Sequence, residues 1–93
     1  MITVKVSYYN ILATCVGVKH ESVLLPENIT ILTLIQGLAE RLPGTFQEIA
    51  LVNEAPSPHL RVFHNRRLVK PEDFELSLAD GDEIMMFPAI AGG

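Results

Sequence analysis

Hydrophobic and polar residues alternate with a period of two at the start of the chain. Ile2, Val4 and Val6 share one side of residues 2–9, a stretch rich in β-branched and aromatic side chains. This pattern is typical of a half-buried strand. Residues 19–25 predict a second strand. The two strands are predicted to form a hairpin with a long connection.

The next element is predicted to be a helix with a defined start and end. Its apolar positions follow a 3.6-residue period and form one stripe: Ile31, Leu34, Ile35, Leu38 and Leu42. Thr30 is a good N-cap, because its hydroxyl can accept a hydrogen bond from a free amide of the first turn. Pro43 and Gly44 are expected to end the helix, since proline cannot continue it and glycine tolerates a left-handed cap.

The second half of the chain predicts short strands separated by turns. Residues 45–52 are predicted as a short helical turn, and residues 53–59, which contain two prolines, as an exposed loop. The predicted strands are residues 60–64, 67–69 and 83–88. The order β-β-α-β-β-β fits a mixed four- to five-stranded sheet packed on one main helix, with the first and last strands adjacent. We therefore predict an α+β fold of the β-grasp, or ubiquitin-like, type.

Composition indicates one small domain with an exposed apolar patch. A chain of 93 residues makes a single domain, and a domain of this size buries only about 60–65% of its unfolded surface. Because 48% of the residues are hydrophobic and 19% are charged, some apolar surface is expected to remain exposed for a partner. Residues 1–88 are predicted as the β-grasp domain and residues 89–93 as a flexible C-terminal tail.

Charge and cysteine content argue against several classes of protein. The net charge is −4 without a basic stripe, which disfavours nucleic acid and a polybasic membrane anchor. The lone Cys15 has no Lys, Arg or His within three residues, so it is predicted to be an unreactive buried or half-buried side chain. No apolar stretch is long enough for a membrane span and no secretory signal is clear, so the cytoplasm is the expected location. No metal-ligand spacing is present, and we expect no cofactor on this chain.

The most informative segment is the end of the chain, where the last predicted strand is followed directly by AIAGG, residues 89–93. This chain resembles the small, sulfur-carrying subunit of molybdopterin synthase, a ubiquitin-like sulfur carrier protein. The resemblance covers essentially the whole chain and is concentrated in residues 6–9, 62–69 and 78–93. Two positions depart from it: Ala89 replaces a second proline, and Ala13 lies near the place where many members carry an arginine. Arg66 or Arg67 could take over the contact of that arginine.

The resemblance implies that the working group is the C-terminal carboxylate of Gly93. In this family a ubiquitin-activating-type enzyme uses ATP and magnesium to adenylate the carboxylate, and sulfur then displaces AMP to give a thiocarboxylate. Gly92 and Gly93 lack a Cβ and allow the closest approach in a narrow channel. The chain would not be catalytic alone. Its implied partners are the adenylating enzyme, the large catalytic subunit of molybdopterin synthase and, indirectly, a sulfurtransferase or cysteine desulfurase.

The resemblance also implies a partner-binding surface on the open face of the sheet. The residues it assigns to this surface are Tyr9, Leu68, Phe87, Pro88 and Ile90. Neighbouring residues of a strand point to opposite faces, so one of Tyr8 and Tyr9, and one of Met86 and Phe87, is expected outside the core.

Two other functions remain open beside the molybdenum-cofactor carrier. The first is a sulfur carrier of another pathway, such as thiamin, cysteine or tRNA thiolation, or a ubiquitin-like protein modifier. The second, from a different class, is a non-catalytic β-grasp interaction module in which the Gly-Gly ending is incidental.

Overall fold

A five-stranded mixed sheet forms one layer of the protein. The computed structural model describes residues 1–42 and 44–89. The strands are β1 Ile2–Tyr8, β2 His20–Leu25, β3 Leu51–Val52, β4 Ala55–Pro56, β5 Leu60–His64, β6 Arg67–Leu68 and β7 Glu83–Pro88. The main sheet has the order β2-β1-β7-β5-β6, and β3 pairs only with β4. The first and last strands are parallel neighbours within this sheet, which confirms the predicted α+β, β-grasp arrangement.

The register of the sheet aligns the core-facing residues of neighbouring strands. Val6 of β1 lies beside Ile84 of β7, and Met86 of β7 lies beside Val62 of β5. All four side chains are buried. Because a slip of one residue would turn a whole strand over, this apolar pattern specifies the pairing.

Three helices cover the apolar face of the sheet: α1 Ile11–Val16, α2 Ile31–Arg41 and α3 Gly44–Ala50. The longest is α2, and its buried side contains four of the five residues of the predicted stripe, while the fifth, Leu42, is the C-cap that follows the helix. Thr30 is confirmed as its N-cap, since the Thr30 hydroxyl accepts a hydrogen bond from the Thr33 amide at 3.1 Å. Buried residues from all three helices and the sheet form one core cluster, which includes Leu12, Leu34, Phe46, Val4 and Met86.

Two helices differ from the prediction. The connection after β1 contains α1, which ends at Gly17 in the left-handed conformation, φ 91°. Gly44 is the first residue of α3 and is not the left-handed cap of α2. The C-cap of α2 is Leu42, in an extended conformation. Pro43 lies outside the described residues. The short helical turn predicted for residues 45–52 is helix α3, which begins at Gly44 and ends at Ala50.

Residues 53–59 are more ordered than the predicted loop. They contain β4, which pairs with β3 in a small hairpin. Asn53 and Glu54 have φ values of 51° and 66°, the positive values that a tight hairpin turn requires. The Gln36 side chain of α2 donates to the Glu54 carbonyl at 2.8 Å, so the hairpin is held against the main helix.

The predicted tight turn between β5 and β6 is confirmed. Asn65 and Arg66 have φ values of 50° and 71°, again those of a two-residue hairpin turn. No helix within residues 1–42 and 44–89 is long and apolar enough to cross a membrane. In that part of the chain, no group of three or more His, Cys, Asp or Glu is placed to hold a metal ion.

Candidate functional site

Three aromatic side chains form a row across the face of the sheet that is turned away from the helices. We call Tyr9, Phe87 and Phe63 the aromatic row. The rings of Tyr9 and Phe87 meet edge to face, with centroids 5.9 Å apart, and those of Phe87 and Phe63 are stacked at 5.5 Å. Phe87 is therefore the central ring, contacted on both sides.

Strand alternation explains why these rings lie outside the core. Tyr8 is 2% exposed and Tyr9 is 42% exposed. Met86 is buried, and Phe87 is half-buried under its two aromatic neighbours. The predicted outward orientation of Tyr9 and Phe87 is thus confirmed, while their role in partner binding remains a prediction.

A hydrogen-bonded triad holds Tyr8 inward and so helps to turn Tyr9 outward. The Tyr8 hydroxyl donates to the Glu21 carboxylate at 2.6 Å, and Arg41 of α2 donates to the same oxygen at 2.9 Å. Burial, reinforced by the hydrogen bond to Glu21, raises the pKa of the Tyr8 phenol. For Glu21, burial raises the pKa, but the bonds from Tyr8 and Arg41 outweigh it, and the net shift is downward.

Charged side chains surround the aromatic row. The shallow groove over the row is also lined by Lys5, Arg66 and Glu83. An apolar aromatic centre with a charged rim is the usual anatomy of a protein interface. This surface therefore fits a protein partner, as the sequence predicts.

The other predicted site residues lie beside the row, at the end of β7 or outside the described residues. Leu68 is 43% exposed and pairs in register with Phe63, so its side chain lies on the same face of the sheet, next to the aromatic row. It also lines a second concavity at the edge of the sheet. Pro88 is half-buried at the end of β7, opposite Leu60. Ile90, Gly92 and Gly93 lie outside the described residues.

Phe63 is not among the residues predicted for this surface. Its position in β5 shows the signal that could have found it. Leu60 and Val62 are buried, so alternation places Phe63 on the opposite face. Which strand β5 adjoins, and hence whether Phe63 reaches Phe87, depends on the sheet order.

The chain remains anchored to the sheet through Ala89, which the sequence places in the tail. The Ala89 amide donates to the His59 carbonyl just before β5. Four residues, 90–93, follow Ala89. A chain of four residues spans at most about 13–14 Å when fully extended.

Asp82 fixes the start of β7 beside the β5–β6 turn. Its carboxylate contacts His64 Nε2 at 2.7 Å and accepts from the Asn65 side chain at 3.0 Å and the Ala79 amide at 2.9 Å. Burial raises the pKa of Asp82, but the Asn65, Ala79 and His64 contacts outweigh it and lower the pKa overall. The charged carboxylate is therefore favoured by the fold.

Replacing Asp82 with Asn is expected to lower the free energy of unfolding at pH 7 by about 1–3 kcal/mol, because charge-assisted hydrogen bonds are lost. A carboxyl with a depressed native pKa stabilises above its unfolded pKa of about 3.9 and loses that effect as pH falls through the native value. The difference between wild type and Asp82→Asn should therefore shrink below about pH 4. Urea unfolding at several pH values measures it. A difference independent of pH would contradict the role given to the charge.

The fold of this chain agrees with the comparisons with known proteins. The ThiS family model matches residues 6–93. The chain belongs to the ThiS family. A search of curated protein sequences found no significant match. Family membership supports the class of function that the sequence predicts, a ubiquitin-like sulfur carrier or modifier.

Solved structures show the same fold. Small archaeal modifier protein 1 from Haloferax volcanii is 18% identical with a TM-score of 0.82, over 97% of this chain and 100% of that one. The Pyrococcus furiosus protein assigned as molybdopterin converting factor, subunit 1, is 26% identical with a TM-score of 0.77, over 97% and 100%. A chain of the Amycolatopsis orientalis BexX/CysO complex is 30% identical with a TM-score of 0.72, over 97% and 99%.

One departure of this ThiS-family chain from the expected pattern has a structural counterpart. Ala13 is half-buried and packs against the core, and its methyl side chain has no charge to replace that of an arginine. Arg66 lines the groove over the aromatic row, whereas Arg67 does not. Of the two arginines proposed as substitutes, Arg66 therefore has the better position.

Phe87→Ala and Tyr9→Ala are each expected to weaken binding to the activating enzyme by about 1–3 kcal/mol while the fold is retained, as for exposed aromatic anchors. Leu24→Ala is the matched control, since Leu24 is 64% exposed on the edge strand β2. Titration calorimetry and thermal melts measure both effects. A loss of stability of about 3–5 kcal/mol, the size of a core substitution, would show that the two rings serve the core instead.

Proposed function

We propose that this ThiS-family chain carries sulfur as a thiocarboxylate on Gly93 and acts as the small subunit of molybdopterin synthase in the cytoplasm. The observation that carries the proposal is the placement of the aromatic row. Phe87, its central ring, lies two residues before Ala89, the last anchored residue. A partner docked on the aromatic row is therefore close to the start of residues 90–93, which end in Gly92 and Gly93.

The proposed chemistry needs little from the side chains of the carrier. The Gly93 carboxylate attacks the α-phosphorus of ATP in the adenylating enzyme, and pyrophosphate leaves. A sulfur nucleophile then attacks the carbonyl carbon of the acyl-adenylate, and AMP leaves. ATP and magnesium belong to the activating enzyme, which stabilises the developing charge. The carrier supplies a docking surface, an extended reach and an unhindered carbonyl.

The molybdopterin pathway is supported by sequence similarity to one particular protein of known fold. The chain is 26% identical to the Pyrococcus furiosus protein assigned as molybdopterin converting factor, subunit 1, along the full length of that chain. In the proposed role, two thiocarboxylated carriers in turn donate two sulfurs to a pterin precursor inside the large catalytic subunit. A sulfurtransferase or cysteine desulfurase supplies the sulfur indirectly.

Reconstitution with the large subunit tests the pathway. Thiocarboxylated protein, large subunit and pterin precursor are expected to yield molybdopterin, with the same protein bearing a plain carboxylate as the matched control. Failure to form product, with a thiocarboxylate present and the large subunit active with its own carrier, would reject the molybdopterin assignment but not the carrier chemistry.

A carrier role in another pathway is the second candidate. It is supported by the 30% identity to a chain of the Amycolatopsis orientalis BexX/CysO complex. For a protein modifier, the 18% identity to small archaeal modifier protein 1 supports the fold alone. Sulfur delivery to a different acceptor would favour a carrier of another pathway. An isopeptide bond from Gly93 to a lysine would favour a protein modifier. An interaction module would form neither product.

A further inference from the structure

A second groove lies at the edge of the sheet, next to the aromatic row. Two of its lining residues, Arg61 and Leu68, pair in register with Phe87 and Phe63. The groove has a volume of about 710 Å³. We call it the edge groove. Its apolar walls come from Leu32, Pro56, Pro58, Leu68, Pro71 and Phe74. Known ligand pockets have volumes of about 300–1,000 Å³ and mostly apolar walls, so the edge groove is large enough to take a short peptide segment.

The edge groove exists because β6 is shorter than the strand it pairs with. The last contact between them is the Val69 amide donating to the Val62 carbonyl at 2.8 Å. The chain then turns away into a 3-10 helix at Pro71–Asp73. Beside Leu60 and Arg61, the outer side of β5 therefore has no neighbouring strand among the described residues. This leaves room for an extended segment.

Residues 90–93 are long enough to reach the edge groove. The Ala89 amide is bonded to the His59 carbonyl, and Pro58 and Leu60, on either side of His59, both line the edge groove. Passing from β7 to the space beyond β5 covers two strand spacings, about 10 Å. Residues 90–93 extend to about 13–14 Å, which is enough.

The charges around the edge groove suit a segment that ends in a carboxylate. Arg61 donates from Nη1 to the Pro58 carbonyl at 2.9 Å, so a cation lies next to the point where the chain leaves the sheet. Lys70 lines the groove, with Glu75 as the one acidic residue. Two cations thus face one anion. An apolar residue followed by a terminal carboxylate, as in Ile90 to Gly93, matches this combination.

We propose that in the free protein residues 90–93 dock into the edge groove of the same chain, with Ile90 against its apolar wall and the Gly93 carboxylate near Lys70. As a means of regulating the carrier's working end, this inference rests on the proposed function, although the docking itself needs no enzyme. The activating enzyme can then bind only molecules whose tail is undocked, and its apparent affinity is the intrinsic affinity multiplied by the undocked fraction.

Methyl NMR of the full chain and of a chain ending at Ala89 tests the docking without enzyme, ATP or sulfur donor. Truncation is expected to shift the methyl resonances of the groove residues Leu32, Leu68 and Val69. The methyl groups of Val23 and Leu24 on β2, the opposite edge of the sheet, should not shift. Identical groove resonances in the two proteins would overturn the proposal.

Two further experiments test the details of the docking: reversing the charge of Lys70 tests the carboxylate contact, and diluting the protein tests whether the tail docks within one chain. Lys70→Glu in the full chain should move the groove resonances toward their positions in the truncated protein, and Lys19→Glu, an exposed control before β2, should not. No movement with Lys70→Glu would overturn the carboxylate contact. Loss of the truncation effect on dilution would assign the groove to the tail of a second copy and overturn docking within one chain. Because no carrier chemistry is involved, a negative result here is distinguishable from failure to form a thiocarboxylate.

Discussion

Deleting Gly93, or adding one residue after it, is expected to abolish adenylation and leave folding unchanged. Either change displaces the carboxylate by about 3.3–3.6 Å along an extended chain. A displacement near 1 Å in a positioned reaction can already cost about 100-fold in rate. The changed site lies beyond Ala89, the last residue with a described hydrogen bond to the sheet, so the free energy of unfolding should change by no more than about 0.5 kcal/mol.

Pyrophosphate exchange with the activating enzyme measures this effect, beside thermal melts of both variants. Phe87→Ala is the informative comparison, because it should weaken docking on the activating enzyme without changing the length of chain between the folded domain and the Gly93 carboxylate. At saturating carrier, exchange should recover for Phe87→Ala but not for the Gly93 deletion. Full exchange by the protein lacking Gly93 would reject the carrier chemistry and leave the interaction module as the better interpretation.

Phe46→Ala is expected to cause the largest loss of stability, about 3–5 kcal/mol, as for a truncated core phenylalanine. Phe46 is fully buried, and its ring meets that of Tyr8 edge to face with centroids 6.1 Å apart. Since domains of this kind have only about 5–15 kcal/mol of total stability, the substitution is expected to remove a large share of the free energy of unfolding.

Thermal and urea unfolding test this expectation, with Phe87→Ala as the matched aromatic control on the open face of the sheet. By the usual scaling for small domains, the melting temperature of Phe46→Ala should fall by more than about 12 °C. A decrease similar to that of Phe87→Ala would show that Phe46 contributes little to the core.

The main sheet and the main helix were predictable because their apolar residues repeat regularly. Period-two alternation identified β1, and the stripe from Ile31 to Leu38 with its Thr30 cap identified α2. The same alternation placed Tyr9 and Phe87 on the open face. These features depend on the spacing of residues that are close together in the sequence, so they can be predicted without knowing which elements pack together.

The elements that were missed depend on contacts between distant residues. Helix α1 has six residues and no side-chain cap, too short to form alone, and buried Leu12 ties it to the core. Gly44 begins a helix although its sequence favours a break. Phe63 joins the aromatic row, and the edge groove opens, only because of the strand order and the early end of β6.

Intact-protein mass spectrometry tests the central claim, that sulfur is carried on Gly93, most directly. The protein is incubated with its activating enzyme, ATP, magnesium and the sulfur source, and the C-terminal peptide is then fragmented. The carrier hypothesis predicts exchange of one oxygen for sulfur at Gly93, absent without ATP and unchanged in Cys15→Ala. An unmodified terminus in the presence of an enzyme that activates its own carrier, or sulfur found on Cys15 instead, would contradict it.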